Sequence, residues 1–284
     1  MDSDSEFGAF LRGRRALLDP EVIGVVSHGR RRVPGLRREE LAHLAGVSPT
    51  YYTRLEQGQS TGASDSVLDA LSRALRLTPD ERRHLHDLAR PARTRPVSPR
   101  RWEAAGVATR QLVAAVDAVP MLVLNRRNDV LVWNPLAHAL LAGHLRRDAP
   151  DHPDDRPNTL RMLFLDPHTR ELYSAWADEA RRAVAALRLT AGEHANDPAL
   201  TNLIGDLVVH SDEFAALWAE HPVTSCSEGT KHYRHPSVGQ LELAFTMTTT
   251  TDGSGHRLLA LTAEPDSPSQ HALRLLADTS AEHS

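Results

Sequence analysis

Hydrophobic residues recur with a helical period through the first ninety residues, and this pattern predicts a compact group of helices. Leu17 and Leu18 extend the apolar stripe of the first helix, whereas Leu41, Leu44 and Ala45 form the inward side of the second. Thr78, Pro79 and Glu81 follow the pattern of a capping box and mark the start of the last helix. The five predicted helices cover about residues 6–18, 37–45, 49–58, 65–75 and 78–88.

The stretch EELAHLAGVSPTYYTRLEQG, residues 39–58, predicts two short helices joined by a very tight turn. Gly46 can adopt the left-handed conformation that ends the first of them. Ser48 is a good N-cap for the second, and Tyr52 and Leu55 belong to its buried side. This is helix-turn-helix architecture, whose second helix enters the DNA major groove. The candidate DNA-contacting residues on the second helix are Ser48, Pro49, Thr50, Tyr51, Thr53 and Arg54.

The pattern changes after residue 104. Two apolar runs around a polar turn predict a hairpin over residues 121–134, and several helical patterns follow it, one of them over residues 171–192. From Val223 the period shifts toward two, which predicts three antiparallel strands and then a C-terminal helix. We therefore predict an α+β chain with three parts: an all-α helix-turn-helix domain at 1–90, a Pro/Arg-rich linker at 91–104, and an antiparallel sheet covered by helices at 105–284.

Positive charge is concentrated at the predicted DNA-binding end. The whole chain has a formal charge of −4, but residues 1–90 carry 14 arginines against 13 acidic residues. Arg37 and Arg38 lie at a helix N-terminus, where the helix dipole disfavours cations and open N–H groups attract anions. We favour a phosphate contact for both, and pairing with Glu39, Glu40 or another acid is the alternative. Five arginines within residues 29–38 are candidate DNA contacts: Arg30, Arg31, Arg32, Arg37 and Arg38.

Composition and motif searches exclude several other classes of protein. Cys226 is the single cysteine, which is typical of a chain in a reducing cytoplasm, and no apolar run approaches the ~20 residues of a membrane span. The sequence has no HExxH, no paired-cysteine zinc spacing, no P-loop and no GxSxG. We therefore predict no enzyme, no cofactor, no metal site and no membrane partner.

The motif LAxxAGVS followed by RLEQG resembles the Cro and phage-repressor (XRE) family of helix-turn-helix proteins. The segments VLVWNPLAHALL, RMLFLDPHTRELYSAW, EFAALWAEHPV and GTKHYRHPSVGQLEL extend the resemblance to the MmyB-like regulators of actinomycetes. This resemblance implies a transcription regulator with a PAS-like ligand-binding domain. It also implies base contacts just after Ser48 and an apolar effector such as a long-chain fatty acid. Arg38 stands where the family often has a glutamine.

Large apolar residues are scattered over the second half, and each could belong either to an ordinary core or to a ligand pocket. Strand alternation places His232 and Arg234 on one face of a strand and Tyr233 and His235 on the other. A homodimer on a palindromic operator is expected because one recognition helix makes few contacts. The alternative function is a helix-turn-helix adaptor that binds another protein. The candidate ligand-binding residues are Trp133, Phe164, Trp218, Tyr233, His235 and Phe245.

Overall fold

The computed structural model describes residues 3–23, 35–59, 63–89, 104–223 and 227–281. The chain divides into two compact units. The first contains residues 1–94, 185–201 and 217–225, and the second contains residues 95–184, 202–216 and 226–284. The predicted contacts Arg30, Arg31 and Arg32, and the predicted linker up to residue 103, lie outside the described residues. No helix in the described ranges combines the length and the apolar character that a membrane span needs.

The first unit begins with six helices in its described part, one more than the sequence pattern predicts. The additional helix, α2, is a single turn after Asp19, too short to generate a hydrophobic period. Thr78 and Glu81 form the predicted capping box at the start of α6, since the side chain of each accepts a hydrogen bond from the backbone N–H of the other. The bounds are α1 Ser3–Ala16, α2 Pro20–Ile23, α3 Arg38–Ala45, α4 Pro49–Glu56, α5 Asp65–Ala74 and α6 Pro79–Ala89.

The core of the first unit confirms most of the predicted inward residues and corrects two of them. Leu17 is 69% exposed because α1 ends at Ala16, so the residue no longer follows the helical stripe. Leu44 is 42% exposed, and the inward side of α3 is formed instead by Leu41, Ala42 and Ala45. The core also includes two residues from distant parts of the sequence, Leu189 and Val223.

The second unit is built on one five-stranded antiparallel sheet in the order β2-β1-β5-β4-β3. The predicted hairpin and the three later strands are confirmed. Alternation in β3 is also confirmed, because Lys231, Tyr233 and His235 are buried whereas His232 and Arg234 are exposed. The strands are β1 Met121–Leu124, β2 Val130–Trp133, β3 Glu228–His235, β4 Gly239–Thr249 and β5 Arg257–Thr262.

Eight helices accompany the sheet in the described ranges. The sequence predicts one helix over residues 171–192, but the structure interrupts it at Tyr173, whose extended backbone forms a bridge with Tyr233 of β3. Residues of α11, α12 and α13 are divided between the two units. The helices are α7 Val107–Ala114, α8 Pro135–Ala142, α9 Thr159–Leu165, α10 Pro167–Leu172, α11 Trp176–Glu193, α12 Pro198–His210, α13 Asp212–Ala219 and α14 Pro268–Ala281.

Candidate DNA-contacting surface and ligand cavity

The turn between α3 and α4 has the geometry that the sequence predicts. Gly46 has φ of 66°, in the left-handed region, and its N–H donates to the carbonyl oxygen of His43. A Cβ atom at Gly46 would meet nothing within 4 Å, so backbone conformation rather than space favours glycine. The Val47 N–H donates to the carbonyl oxygen of Ala42, which closes the turn.

Helix α4 has one buried side and one accessible side. Ser48 caps it, since its Oγ accepts from the Tyr51 N–H at 3.1 Å. Tyr52 and Leu55 are fully buried and fix the rotation of the helix about its axis. The predicted DNA-contacting residues are consequently accessible: Ser48, Pro49, Thr50 and Arg54 are exposed, and Tyr51 and Thr53 are partly buried.

A buried carboxylate, Glu56, connects α4 to two other helices. Its Oε1 lies 2.6 Å from Nε of Arg15 in α1, and its Oε2 lies 2.6 Å from Nε of Arg38 in α3. Burial raises the pKa of Glu56, but the hydrogen bonds from Arg15 and Arg38 outweigh it, and the pKa lies below its usual range. A Cβ atom at Gly8 would lie 2.3 Å from the carbonyl oxygen of Glu56, so α1 and α4 approach each other closely here.

The two arginines at the start of α3 have different surroundings. The Arg38 side chain pairs with Glu56 and is 45% exposed. Its geometry therefore corresponds to the alternative to a phosphate contact, which is pairing with an acidic residue. Sequence spacing could not identify Glu56 as that partner, since it is seventeen residues beyond the adjacent acid Glu39. Arg37 supplies a backbone N–H to the Glu40 carboxylate at 2.6 Å, which satisfies one open donor of the helix.

The first unit also buries a cluster of cationic and imidazole groups. His84 of α6 is 2% exposed and packs edge-on against Phe10, at 5.1 Å between ring centroids. Burial, reinforced by the positive charges of Arg188 and Arg14, lowers the pKa of His84 to about 3. A Cβ atom at Gly192 would lie 2.6 Å from the His84 ring, so only glycine fits beside it without movement.

The second unit contains a half-open cavity of about 950 Å³. This volume is at the upper end of the ~300–1,000 Å³ that is usual for small-molecule sites. Its apolar wall comes mainly from α8, with further leucines from α10 and α14. The apolar lining residues are Pro135, Ala139, Leu140, Leu141, Leu172, Pro236 and Leu276.

Cationic and imidazole side chains line the same cavity. Arg147 and Arg234 face a single acidic residue, Glu171, so the fixed charge of the lining is positive. Arg234 lies on the exposed face of β3. An apolar wall beside an excess of positive charge suits an amphiphilic ligand with an anionic head group. The histidines of the lining are His138, His144, His168 and His235.

Of the six predicted ligand-binding residues, only His235 lines this cavity. Its Nε2 lies 3.1 Å from the carbonyl oxygen of Ala139 in α8. Trp133 is close by, since its ring centroid lies 5.1 Å from that of the lining residue His138. Tyr233 and Phe245 belong to the core around the sheet.

The other two predicted residues lie elsewhere. Phe164 packs edge-on against Trp176 and Phe214 in the second unit. Trp218 belongs to the first unit, where the guanidinium carbon of Arg188 lies 3.9 Å from its ring centroid. Size and hydrophobicity alone did not separate core aromatic residues from lining residues, because both require burial.

Sequence reasoning missed most of the lining and a cluster beside it, His144, Asp166 and His168, of which only the two histidines line the cavity. Their potential ligand atoms all lie within 4.8 Å of one another. These residues come from separate segments, since His144 follows α8 and the other two lie at the start of α10, so no spacing within one segment reveals the cluster. The i, i+2 pair Asp166 and His168 in DPH was the only local signal.

Two family models match the chain, and together they cover most of it. A model of a helix-turn-helix domain matches residues 6–85. A model of the MmyB-like transcription regulator ligand binding domain matches residues 105–276, more than half of the chain. No match was found among curated proteins. The matched ranges include the α3–α4 turn and the whole of the sheet, so the chain belongs to the MmyB-like helix-turn-helix transcription regulators.

Proposed function

We propose that this regulator reads a palindromic operator as a homodimer, with the exposed side of α4 in the major groove. The supporting observation is the orientation of α4. Tyr52 and Leu55 are fully buried, and their burial leaves Thr50 and Arg54 exposed. A single short helix of this kind supplies few base contacts, so two copies on two half-sites are needed for strong specificity.

If α4 reads bases, substitutions on its exposed side should reduce affinity for the operator more than affinity for random DNA. Thr50→Ala combined with Thr53→Ala should lower affinity for a selected operator by ~1–3 kcal/mol per lost base contact and change affinity for random DNA little. Thr201→Ala, an exposed threonine of α12, is the matched control. The operator is first obtained by selection from a random duplex pool, and both affinities are measured by fluorescence anisotropy. Equal losses on both DNAs would remove the two threonines from base readout.

We further propose that the ligand-binding domain is PAS-like and that its ligand is an apolar carboxylate such as a long-chain fatty acid. The cavity supports this proposal because α8, α10 and α14 supply leucines to it while Arg147 and Arg234 supply positive charge. Burial of each CH₂ group contributes ~0.8 kcal/mol, so a long chain can bind well without a strongly paired head group. The antiparallel sheet faced by helices agrees with the PAS-like architecture that the sequence resemblance implies.

The adaptor function has less support from the second unit. An adaptor needs an exposed apolar surface for its partner, whereas a sensor needs space inside the domain. The cavity of about 950 Å³ provides that space.

A regulator that binds DNA and carries the single cysteine Cys226 is expected to act in the cytoplasm.

Chain-length and charge series test the proposed ligand. Saturated fatty acids of increasing length are titrated into the full-length protein by calorimetry. Affinity should rise with length and reach a plateau where the cavity ends. Arg234→Gln should weaken binding of the fatty acid more than binding of its methyl ester. Arg274→Gln, at an exposed position of α14, is the matched control. Absence of binding by every member of the series, or an affinity independent of length, would reject the fatty-acid proposal.

A further inference from the structure

His144, Asp166 and His168 come together beside the cavity from two separate places in the second unit. Nε2 of His144 lies 2.7 Å from Oδ2 of Asp166, and Nδ1 of His168 lies 3.2 Å from Oδ1 of the same carboxylate. The two imidazole rings are stacked, with centroids 4.4 Å apart and planes 12° from parallel. Two imidazole nitrogen atoms, one from each histidine, therefore meet at one carboxylate.

Helix capping explains only part of this arrangement. Asp166 caps α10, since its Oδ1 accepts from the His168 N–H at 2.9 Å, and its Oδ2 accepts from the Thr169 hydroxyl at 3.1 Å. Capping does not require His144, which lies beyond the end of α8. The stacked rings place a nitrogen of each histidine beside the same carboxylate, so three possible ligands for one cation lie together.

The donor set has a well-defined chemical preference. Two imidazoles and one carboxylate suit Zn²⁺ and its late first-row neighbours, which bind these ligands at ~2.0–2.2 Å. Ligand atoms around such an ion lie about 3 Å apart. The atoms here lie within 4.8 Å of one another, so small side-chain rotations would bring all three around one ion. The hydrogen bonds from the His168 N–H and Thr169 hydroxyl hold the carboxylate in place, as outer-shell partners do in metal sites.

We propose that His144, Asp166 and His168 form a binding site for one divalent transition-metal ion of the zinc class. Three protein ligands leave at least one coordination position for water or a ligand atom, as in zinc sites with open coordination. His144 and His168 also line the cavity, so the ion would add positive charge to that lining. The metal site does not depend on the identity of the organic ligand, since its ligands are protein side chains alone.

The test is calorimetric titration of Zn²⁺ into the full-length protein without an affinity tag. We expect one site per chain, and His144→Ala and His168→Ala should each weaken it at least tenfold. His210→Ala is the matched control, because exposed His210 pairs with Asp206 at 3.1 Å, and among the residues that the structure describes no second histidine joins them. Sixteen histidines in the chain make this control necessary.

Asp166→Asn provides a second variant that preserves folding. Asparagine is as good an N-cap as aspartate, so α10 should keep its start while the anionic ligand is lost. Zn²⁺ affinity should fall in this variant at unchanged circular dichroism. With Co²⁺ as the probe, visible d–d bands should form in the wild type and disappear in both histidine variants. No one-site binding in the wild type, or an equal loss in His210→Ala, would overturn the proposal.

Discussion

The two functional regions of the molecule differ in how far apart in the sequence their determinants lie. The α3–α4 turn depends on neighbours, since Gly46, Ser48 and Pro49 are almost consecutive. The cavity depends on α8, α10, β3 and α14, which are brought together only by the folded sheet. Local determinants are visible in a single sequence, and assembled ones are not. We therefore expect some substitutions to act through local backbone conformation and others through tertiary contacts.

The largest expected loss of stability comes from the buried ion pairs of Glu56, which join α4 to α1 and α3. Glu56→Gln removes the charge that Arg15 and Arg38 share, and breaking a buried ion pair from one side costs about 3–5 kcal/mol. Denaturant unfolding of the full-length protein should show this loss of stability. Exposed Glu39→Gln is the control and should change stability by less than ~0.5 kcal/mol. A small effect of Glu56→Gln would mean that the fold of the unit is specified by local signals alone.

The same substitution has a pH signature. Because hydrogen bonding lowers the pKa of Glu56 in the folded chain, its contribution is fully present above the unfolded value of ~4.3 and is lost as the pH falls through the folded value. The stability difference between wild type and Glu56→Gln should therefore shrink in acid. A difference that stays constant from neutral to strongly acidic pH would contradict the ion-pair explanation.

The second effect, about 2 kcal/mol, concerns His84. Its pKa of about 3 in the folded chain lies below the unfolded value of ~6.5, so the unfolded state takes up the proton first. The free energy of unfolding should fall by ~1.4 kcal/mol per pH unit below pH ~6.5. His84→Gln should remove this part of the pH dependence. Unfolding curves from about pH 6.5 to 4.5 measure the slope, with exposed His43→Gln as the control. An unchanged slope in His84→Gln would contradict the burial of a neutral ring.

A smaller loss of stability is expected at Gly46, where the backbone conformation of a single residue favours glycine. Gly46→Ala should destabilise the first unit by ~1–2 kcal/mol, the cost of a left-handed backbone for a residue with a Cβ. Gly205→Ala is the matched control, because its Cβ also meets nothing within 4 Å but its backbone is helical. That control should stabilise its helix by up to ~1 kcal/mol. Two effects of the same sign would contradict the conformational explanation.

The smallest effect separates the two arginines at the start of α3. Arg37→Gln should flatten the slope of log K against log salt by about one unit, as expected for one lost phosphate contact. Arg38→Gln should also lower stability, because Arg38 pairs with Glu56. Arg76→Gln, an exposed arginine after α5, is the control. An unchanged salt slope in Arg37→Gln would assign this residue to folding rather than to phosphate binding.

Much of the fold could be predicted from the sequence, and the physical reason is periodicity. The hairpin around residues 126–129 and the alternation of β3 follow a period of two, and both are confirmed. Helical spacing predicts Leu44 on the inward side of α3, but the packing of the unit buries Ala42 and leaves Leu44 exposed. Tyr173 interrupts a helical pattern because it pairs with β3, which no local signal reveals.

The candidate site shows the same limit more strongly. The exposed residues of α4 were accessible to prediction because the buried anchors Tyr52 and Leu55 fix its rotation. The cavity lining was not, since aromatic residues such as Phe245 serve the core and smaller residues such as Ala139 form the wall. The cluster of His144, Asp166 and His168 likewise requires the position of α8 relative to α10 within one unit.

We propose that a ligand bound in the cavity changes the affinity of this regulator for its operator, and one measurement tests this claim most directly. The dissociation constant of a fluorescent operator duplex is measured for the full-length protein with and without a saturating long-chain fatty acid. We expect a change of about fivefold or more, the usual size of coupling between two sites, and Arg234→Gln should shift the fatty-acid concentration required to higher values. An operator affinity that stays the same while calorimetry shows the cavity to be filled would contradict the claim.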